Sequence, residues 1–359
     1  MKKVLFATTA LIATAGMAAA DVKMGGYGRF GLDYNSANET VAGRSKTNIT
    51  SRLRLQFDMS TETDAGVGFN ARYRAQAESR DGTAGTGAFN GARFGVTYNG
   101  IAVNVGNIIG AVENTKGLYV TGARSAGTGI DGMGFHSLVL KTTSGTANNS
   151  GAVGTGFNWD AYSSAGAGSN GIEVLYSAGG FTGHLSYSQR NGGAVPGKAN
   201  GEQRTGVMAT YSFGDYYVSA SYQSADNTTT ITTSNGTILD PNDGLYMIAA
   251  GGNFGAFGAR LAYGSTDVAD SFTLEGSMDI GAASNVVVWV NSTDVDASLL
   301  NDTTVVNGAT RGSRATATDG TSFGINYQYD LGGGATIVAG YVDEADDDNQ
   351  FQAGVYFSF

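Results

Sequence analysis

The chain has 359 residues and Cys 0, which excludes a disulfide framework and any thiolate metal site. Its formal charge of -10 argues against nucleic acid as a partner, because phosphate binding needs clustered Lys and Arg on an accessible surface. Gly at 56 residues is about twice the usual globular share, while Pro is only 2 and charged residues 14%, a composition that fits a sheet with one face in lipid.

Residues 1–20 open with Lys2 and Lys3, continue through the apolar run 4–15 and end on Ala18, Ala19 and Ala20. This is the pattern of a secretory signal peptide cleaved after Ala20. Loss of Lys2 and Lys3 takes the charge from -10 to -12. Beyond residue 20 no run of eighteen apolar residues occurs, so helical membrane spans are excluded. A chain that spans a membrane without helices must close its sheet, because lipid satisfies no open edge.

From residue 22 onward, apolar and polar residues alternate with a period of two, the mark of strands with two different faces. In 22–35, Val22, Met24, Phe30, Leu32 and Tyr34 share one face, with Lys23, Tyr27, Arg29 and Asp33 on the other. In 49–59, Leu53, Leu55 and Phe57 oppose Arg52, Arg54, Gln56 and Asp58; in 67–78, Phe69, Ala71 and Tyr73 oppose Asn70, Arg72, Arg74 and Gln76. The pattern predicts further strands over 88–98, 101–107, 171–177, 181–190, 202–213, 216–225, 244–254, 257–267, 271–280, 285–294, 320–330, 335–343 and 350–359. That makes sixteen, and bacterial single-chain barrels use even numbers.

Short connections, such as Asn99-Gly100, Gly214-Asp215 and Gly255-Ala256, alternate with longer polar ones over 36–48, 191–201, 226–243 and 295–319. This is the sidedness of an outer-membrane barrel. Aromatics gather near the short turns (Tyr98, Phe181, Tyr211, Phe213, Tyr216, Phe254, Phe257, Tyr327, Tyr329) and again toward the opposite ends (Tyr34, Tyr187, Tyr222, Tyr263, Tyr341), as two membrane interfaces require.

The final strand alternates apolar residues and ends on Phe359. With the start Asp21-Val22-Lys23-Met24-Gly25-Gly26, the hairpin spanning residues 329–338 and the ending Tyr356-Phe357-Ser358-Phe359, the chain resembles the general porins of alphaproteobacteria, within the sixteen-stranded Gram-negative porin family. The resemblance implies an all-β fold: a sixteen-stranded antiparallel transmembrane barrel over 21–359, with a long third external loop folded into the pore. It also implies a homotrimer in outer-membrane lipid and lipopolysaccharide, passing small hydrophilic solutes and ions.

Residues 108–170 break the rhythm, far exceeding ordinary loop length, which favours a functional role. They follow the fifth strand, where the family sets its constriction loop, and their acids are Glu113, Asp131 and Asp160. Opposite such a loop the family sets basic side chains on the wall. Candidates are Arg29, Arg52, Arg54, Arg72, Arg74 and Arg93, which share one parity on adjacent strands. Arg on the lipid face at mid-depth would cost about 2–4 kcal/mol each. The plainer reading has the same residues bracing the wall by pairing with Asp33, Asp58 and Glu78.

Arg204, Arg260 and Glu275 fall on polar faces of later strands, as vestibule candidates. The acidic stretch 343–348 offers oxygens for Ca²⁺ but lacks an EF-hand spacing, so a solvated loop is the favoured reading and no cofactor is expected. Only His136 and His184 are available to a hydrolytic triad, and neither has a recommending context, so no enzyme is expected. A substrate-selective channel is the alternative to a general pore; an outer-membrane enzyme is a more distant one.

Overall fold

The computed structural model describes residues 21–79, 85, 87–119, 159–190, 201–228, 230–240, 243–306, 309–316 and 318–359. The expected signal peptide, Asp131 and His136 lie outside the described residues. In chain order the first strands are β1 (Asp21–Asn35), β2 (Thr47–Glu62), β3 (Gly68–Ser79), β4 (Gly87–Phe89), β5 (Arg93–Tyr98), β6 (Ile101–Asn107), β7 (Asn170–Ala178), β8 (Phe181–Gln189), β9 (Gln203–Phe213) and β10 (Tyr216–Asp226). A small hairpin follows, β11 (Ile231–Thr232) and β12 (Ile238–Leu239), then β13 (Leu245–Phe254), β14 (Phe257–Ser265), β15 (Ala269–Ile280) and β16 (Ser284–Val295). The chain continues through α1 (Ala297–Leu300), β17 (Val305–Val306), β18 (Ala309–Thr310) and α2 (Arg311–Thr316) to β19 (Gly320–Gly332), β20 (Ala335–Asp343) and β21 (Asn349–Ser358).

Each long strand pairs antiparallel with its neighbour, and β21 returns to pair with β1, so the sheet is closed. Because β4 and β5 lie end to end along β3, the seventeen segments of this sheet make sixteen barrel strands. The expected single strand over 88–98 is therefore interrupted. At the break, Asn90 bridges to Gly166 of the long loop, and Gly91 N donates to Gly166 O at 2.8 Å. A remote segment takes hydrogen bonds that local sequence would give to the neighbouring strand.

Burial in the wall is inverted relative to a protein with an apolar core. On β8, Leu185 is 58% exposed while its neighbours His184 and Ser186 are buried. The same inversion runs along β9 and β10, where Val207, Tyr211 and Val218 face outward and Arg204, Thr210, Ser219 and Ser221 are buried. An apolar exterior of this extent matches a lipid-facing belt, and the polar interior matches a wet lumen. Outward rings form a continuous row at the short-turn end. Tyr211 and Phe213 lie 6.0 Å apart, Phe213 and Tyr216 5.9 Å, and Tyr216 and Phe254 5.3 Å.

The short turns use positive φ where two-residue hairpins demand it. Asn99 at φ 46° and Gly100 at φ 79° join β5 to β6. Barrel closure uses glycine differently. Gly26 and Phe359 exchange both backbone hydrogen bonds, at 3.0 and 3.1 Å, and the Phe357 ring lies across Gly28, where a Cβ would meet it at 2.3 Å. Gly26 and Gly28 thus seat the terminal aromatic rings.

The long connections over 226–243 and 295–319, which the sequence reads as plain loops, carry structure of their own: the β11–β12 hairpin, α1, the β17–β18 hairpin and α2. Asp296 caps α1 by accepting from Ser298 N at 2.8 Å. Ile231, Leu239, Val268, Leu299 and Ala315 bury together in an apolar cluster with Val295 and Val342. These loops fold over one end of the barrel.

Candidate functional site

Two strand segments repeat one polar pattern on the inner face. Arg52, Arg54, Gln56 and Asp58 alternate along β2, and Arg72, Arg74, Gln76 and Glu78 alternate along β3. Antiparallel pairing places Arg52 opposite Glu78, Arg54 opposite Gln76, Gln56 opposite Arg74 and Asp58 opposite Arg72. The pattern is self-complementary, so it yields two equivalent relays. In one, Arg72 Nε donates to Asp58 at 2.5 Å, Gln56 Nε2 to Asp58 at 2.8 Å, and Arg74 Nε to Gln56 Oε1 at 2.9 Å. In the other, Arg52 Nε donates to Glu78 at 2.5 Å, Gln76 Nε2 to Glu78 at 3.3 Å, and Arg54 Nε to Gln76 Oε1 at 2.8 Å.

Four guanidiniums face two carboxylates in this ladder, which leaves two positive charges over. Among the described residues, neither Arg54 nor Arg74 forms an ion pair with a carboxylate. Each stands over an aromatic ring instead: Arg54 lies 5.0 Å from the Tyr27 ring centre and Arg74 4.5 Å from that of Tyr162. Arg29, buried on β1 directly opposite Arg52, lies 5.5 Å from the centre of the same Tyr27 ring, which stacks on Tyr356 at 5.1 Å.

The long loop leaves β6 along the inner wall. Glu173 of β7 clamps its beginning. Oε2 accepts the backbone N–H groups of Ile109 and Gly110, each at 3.0 Å, and lies 3.2 Å from His184 Nε2, while Oε1 accepts from Arg93 Nε at 2.8 Å and Asn104 Nδ2 at 3.1 Å. Farther on, Ala111 N donates to Ser186 Oγ on β8, Ser219 Oγ on β10 donates to the Lys116 carbonyl, and Arg260 on β14 donates to the Tyr119 carbonyl. The loop therefore crosses the inner face from β7 to β14. Gly117 is required where it crosses β10: its φ is 96°, and a Cβ would meet Ala249 at 2.7 Å and Tyr217 at 2.9 Å.

The returning limb brings Trp159, Asp160 and Tyr162 back toward β5. Trp159 Nε1 and Tyr119 Oη both donate to Glu113 Oε2, at 2.8 and 2.6 Å. Burial pushes the Glu113 carboxyl above the ordinary range; the bonds from Tyr119 and Trp159 and the charge of Arg74 oppose this without cancelling it. Asp160 pairs with Arg204 at 3.1 Å, and Glu202 holds the same guanidinium at 2.8 Å.

The six wall arginines thus fall into distinct settings. Arg52 and Arg72 pair with Glu78 and Asp58, Arg93 holds Glu173, Arg29 stands beside Tyr27, and Arg54 and Arg74 flank the centre of the ladder. Glu113 comes near Arg74, whereas Asp160 is engaged on the β9 side. Arg260 pairs with Glu275 at 2.6 Å beneath the loop. Sequence reasoning missed Gln56, Gln76, Tyr162 and Glu173 as site residues. The repeated order Arg, Arg, Gln, acid at alternate positions was the available signal for the glutamines. A second signal lies on β13, where Leu245, Met247 and Ala249 are buried and Tyr246 and Ile248 exposed. A strand apolar on both faces needs an apolar partner inside, and Val112, Leu118 and Trp159 of the loop share its cluster.

Comparison with known proteins gives one consistent picture. A family model described as Gram-negative porin matches residues 7–350. A porin of Rhodobacter capsulatus is 28% identical over 350 residues, covering 94% of this chain and 100% of that one. A porin of Fuscovulum blasticum is 36% identical over 169 residues, so that this alignment spans about half of each chain, 46% and 51%. Among solved structures, a variant of the Rhodopseudomonas blastica porin superposes with a TM-score of 0.68 at 25% identity, covering 94% of this chain and 100% of that chain.

Proposed function

Because the chain belongs to the Gram-negative porin family, we propose that it is a general diffusion porin of the outer membrane, in which the 108–170 loop narrows the lumen against the β2–β3 arginine wall. The observation that supports this reading is the path of residues 109–119, which are bonded to inward side chains of β7, β8, β10 and β14. On that reading Arg29, Arg52, Arg54, Arg72, Arg74 and Arg93 supply positive potential on one side. Glu113 and Asp131 supply acidic groups from the loop, with Asp160 closing its far limb. A transverse field in a narrow wet pore favours solutes that stay hydrated and disfavours apolar ones.

The same reading gives export through a signal peptide cleaved after Ala20, leaving Asp21 as the first residue. It also gives a trimer in a membrane of phospholipid and lipopolysaccharide. Liposomes carrying the purified protein should swell in isotonic sugars at rates that fall steeply with sugar size. Equal rates for protein-bearing and empty liposomes would contradict the pore. N-terminal sequencing should begin at Asp21, and unheated protein should migrate as an oligomer that heating splits.

A further inference from the structure

We propose that Arg54, Arg74 and the Tyr162 hydroxyl form an oxyanion-binding subsite in the lumen, built for phosphate-like solutes; this rests on the pore reading above. Arg52 and Arg72 are neutralised by Glu78 and Asp58, and the glutamines pass those contacts inward, so the two surplus charges are those of Arg54 and Arg74. In register these residues are diagonal neighbours across the β2–β3 pair, a spacing of roughly 7–8 Å between backbones. Two half-buried like charges carried on neighbouring strands, each fixed through Nε and standing over an aromatic ring, make a standing demand for an anion.

The donors suit an oxyanion. Each guanidinium has its Nε committed to a glutamine carbonyl, and its terminal nitrogens have no partner among the described residues. Beside Arg74, the buried Tyr162 Oη likewise has no hydrogen-bond partner among them. Planar guanidinium forks recognise phosphate and carboxylate oxygens in pairs, and such charge-assisted bonds are the strong ones. The nearby acids are accounted for: Asp58 and Glu78 are paired with Arg72 and Arg52, and Glu113 receives bonds from Tyr119 and Trp159.

The test is block of single-channel potassium chloride current by inorganic phosphate, in full-length processed protein. Phosphate should reduce the current saturably, and the double variant Arg54→Gln with Arg74→Gln should raise the half-blocking concentration by at least roughly tenfold, the loss expected for one charge-assisted contact. Arg190→Gln, at an exposed position away from the ladder, should leave block unchanged. Potassium chloride steps must persist in the double variant, which shows that it is folded and conducting. Steps without phosphate block, or equal block in wild type and double variant, would overturn the subsite and leave the pore standing. Absence of steps in the wild type would overturn the pore itself.

Discussion

The Oε2 atom of Glu173 accepts the backbone N–H of Gly110 at 3.0 Å, which ties the third long loop to the barrel wall at its first turn. The same carboxylate holds Arg93 and Asn104 and receives Ile109 N. Replacing it strips a buried acceptor from several donors at once. Glu173→Ala should lower stability by about 3–5 kcal/mol, the cost of breaking a buried ion pair. Glu173→Gln should cost less. Both should add sub-conductance flicker to the open channel; thermal unfolding in detergent and long single-channel records read the two effects. Unchanged noise in Glu173→Ala would deny the clamp.

Glu113 carries a pH dependence of defined sign. Its carboxyl is raised above the ordinary range by burial, so docking of the loop is fully favoured when the group is protonated and is weakened as pH rises through the raised value. Over that same interval the loop gains a negative charge beside Arg74. Cation permeability relative to chloride should therefore increase as pH rises through the raised value. Glu113→Gln should remove this component, as reversal potentials in a salt gradient would show.

The two faces of β2 should respond oppositely to charge. Leu53 points outward and is 46% exposed, while its neighbours Arg52 and Arg54 face the lumen. Leu53→Arg should cost about 2–4 kcal/mol when the barrel folds into bilayers, the penalty for Arg on lipid at mid-depth. Urea titration of folding into vesicles measures it. Arg54→Leu should cost less and change conductance instead.

The closing seam makes a steric prediction. Since the Phe357 ring occupies the space over Gly28, Gly28→Val must displace it, and the first and last strands should part more easily. The expected result is a lower unfolding temperature, restored in part by Gly28→Val combined with Phe357→Ala. No change in the single variant would mean that the ring yields freely.

Most of the barrel was legible because a strand between lipid and water must alternate, and alternation is local. Val207 outward beside Met208 and Arg204 inward can be read without knowing any partner. What was not legible depends on remote contacts. The break between β4 and β5 is made by Gly166, more than seventy residues away, and nothing in Asn90-Gly91-Ala92 alone announces it. That Arg52, Arg54, Arg72 and Arg74 would stand on one face was readable by parity, and the β2–β3 pairing sets them side by side. The role of Glu173 was hidden because a single acid on a short strand looks like any lumen residue until the loop's backbone is placed against it. Likewise the apolar inner face of β13 has meaning only once Val112, Leu118 and Trp159 pack on it.

The central claim, a water-filled lumen narrowed by a loop against a positive wall, is tested most directly by planar-bilayer recording of the purified protein across a potassium chloride gradient. A narrowed, positively walled lumen gives long-lived current steps that grow in proportion to salt, with a reversal potential that shifts toward cations when Arg54 and Arg74 are both replaced by Gln. Folded, inserted protein that gives no steps would contradict it.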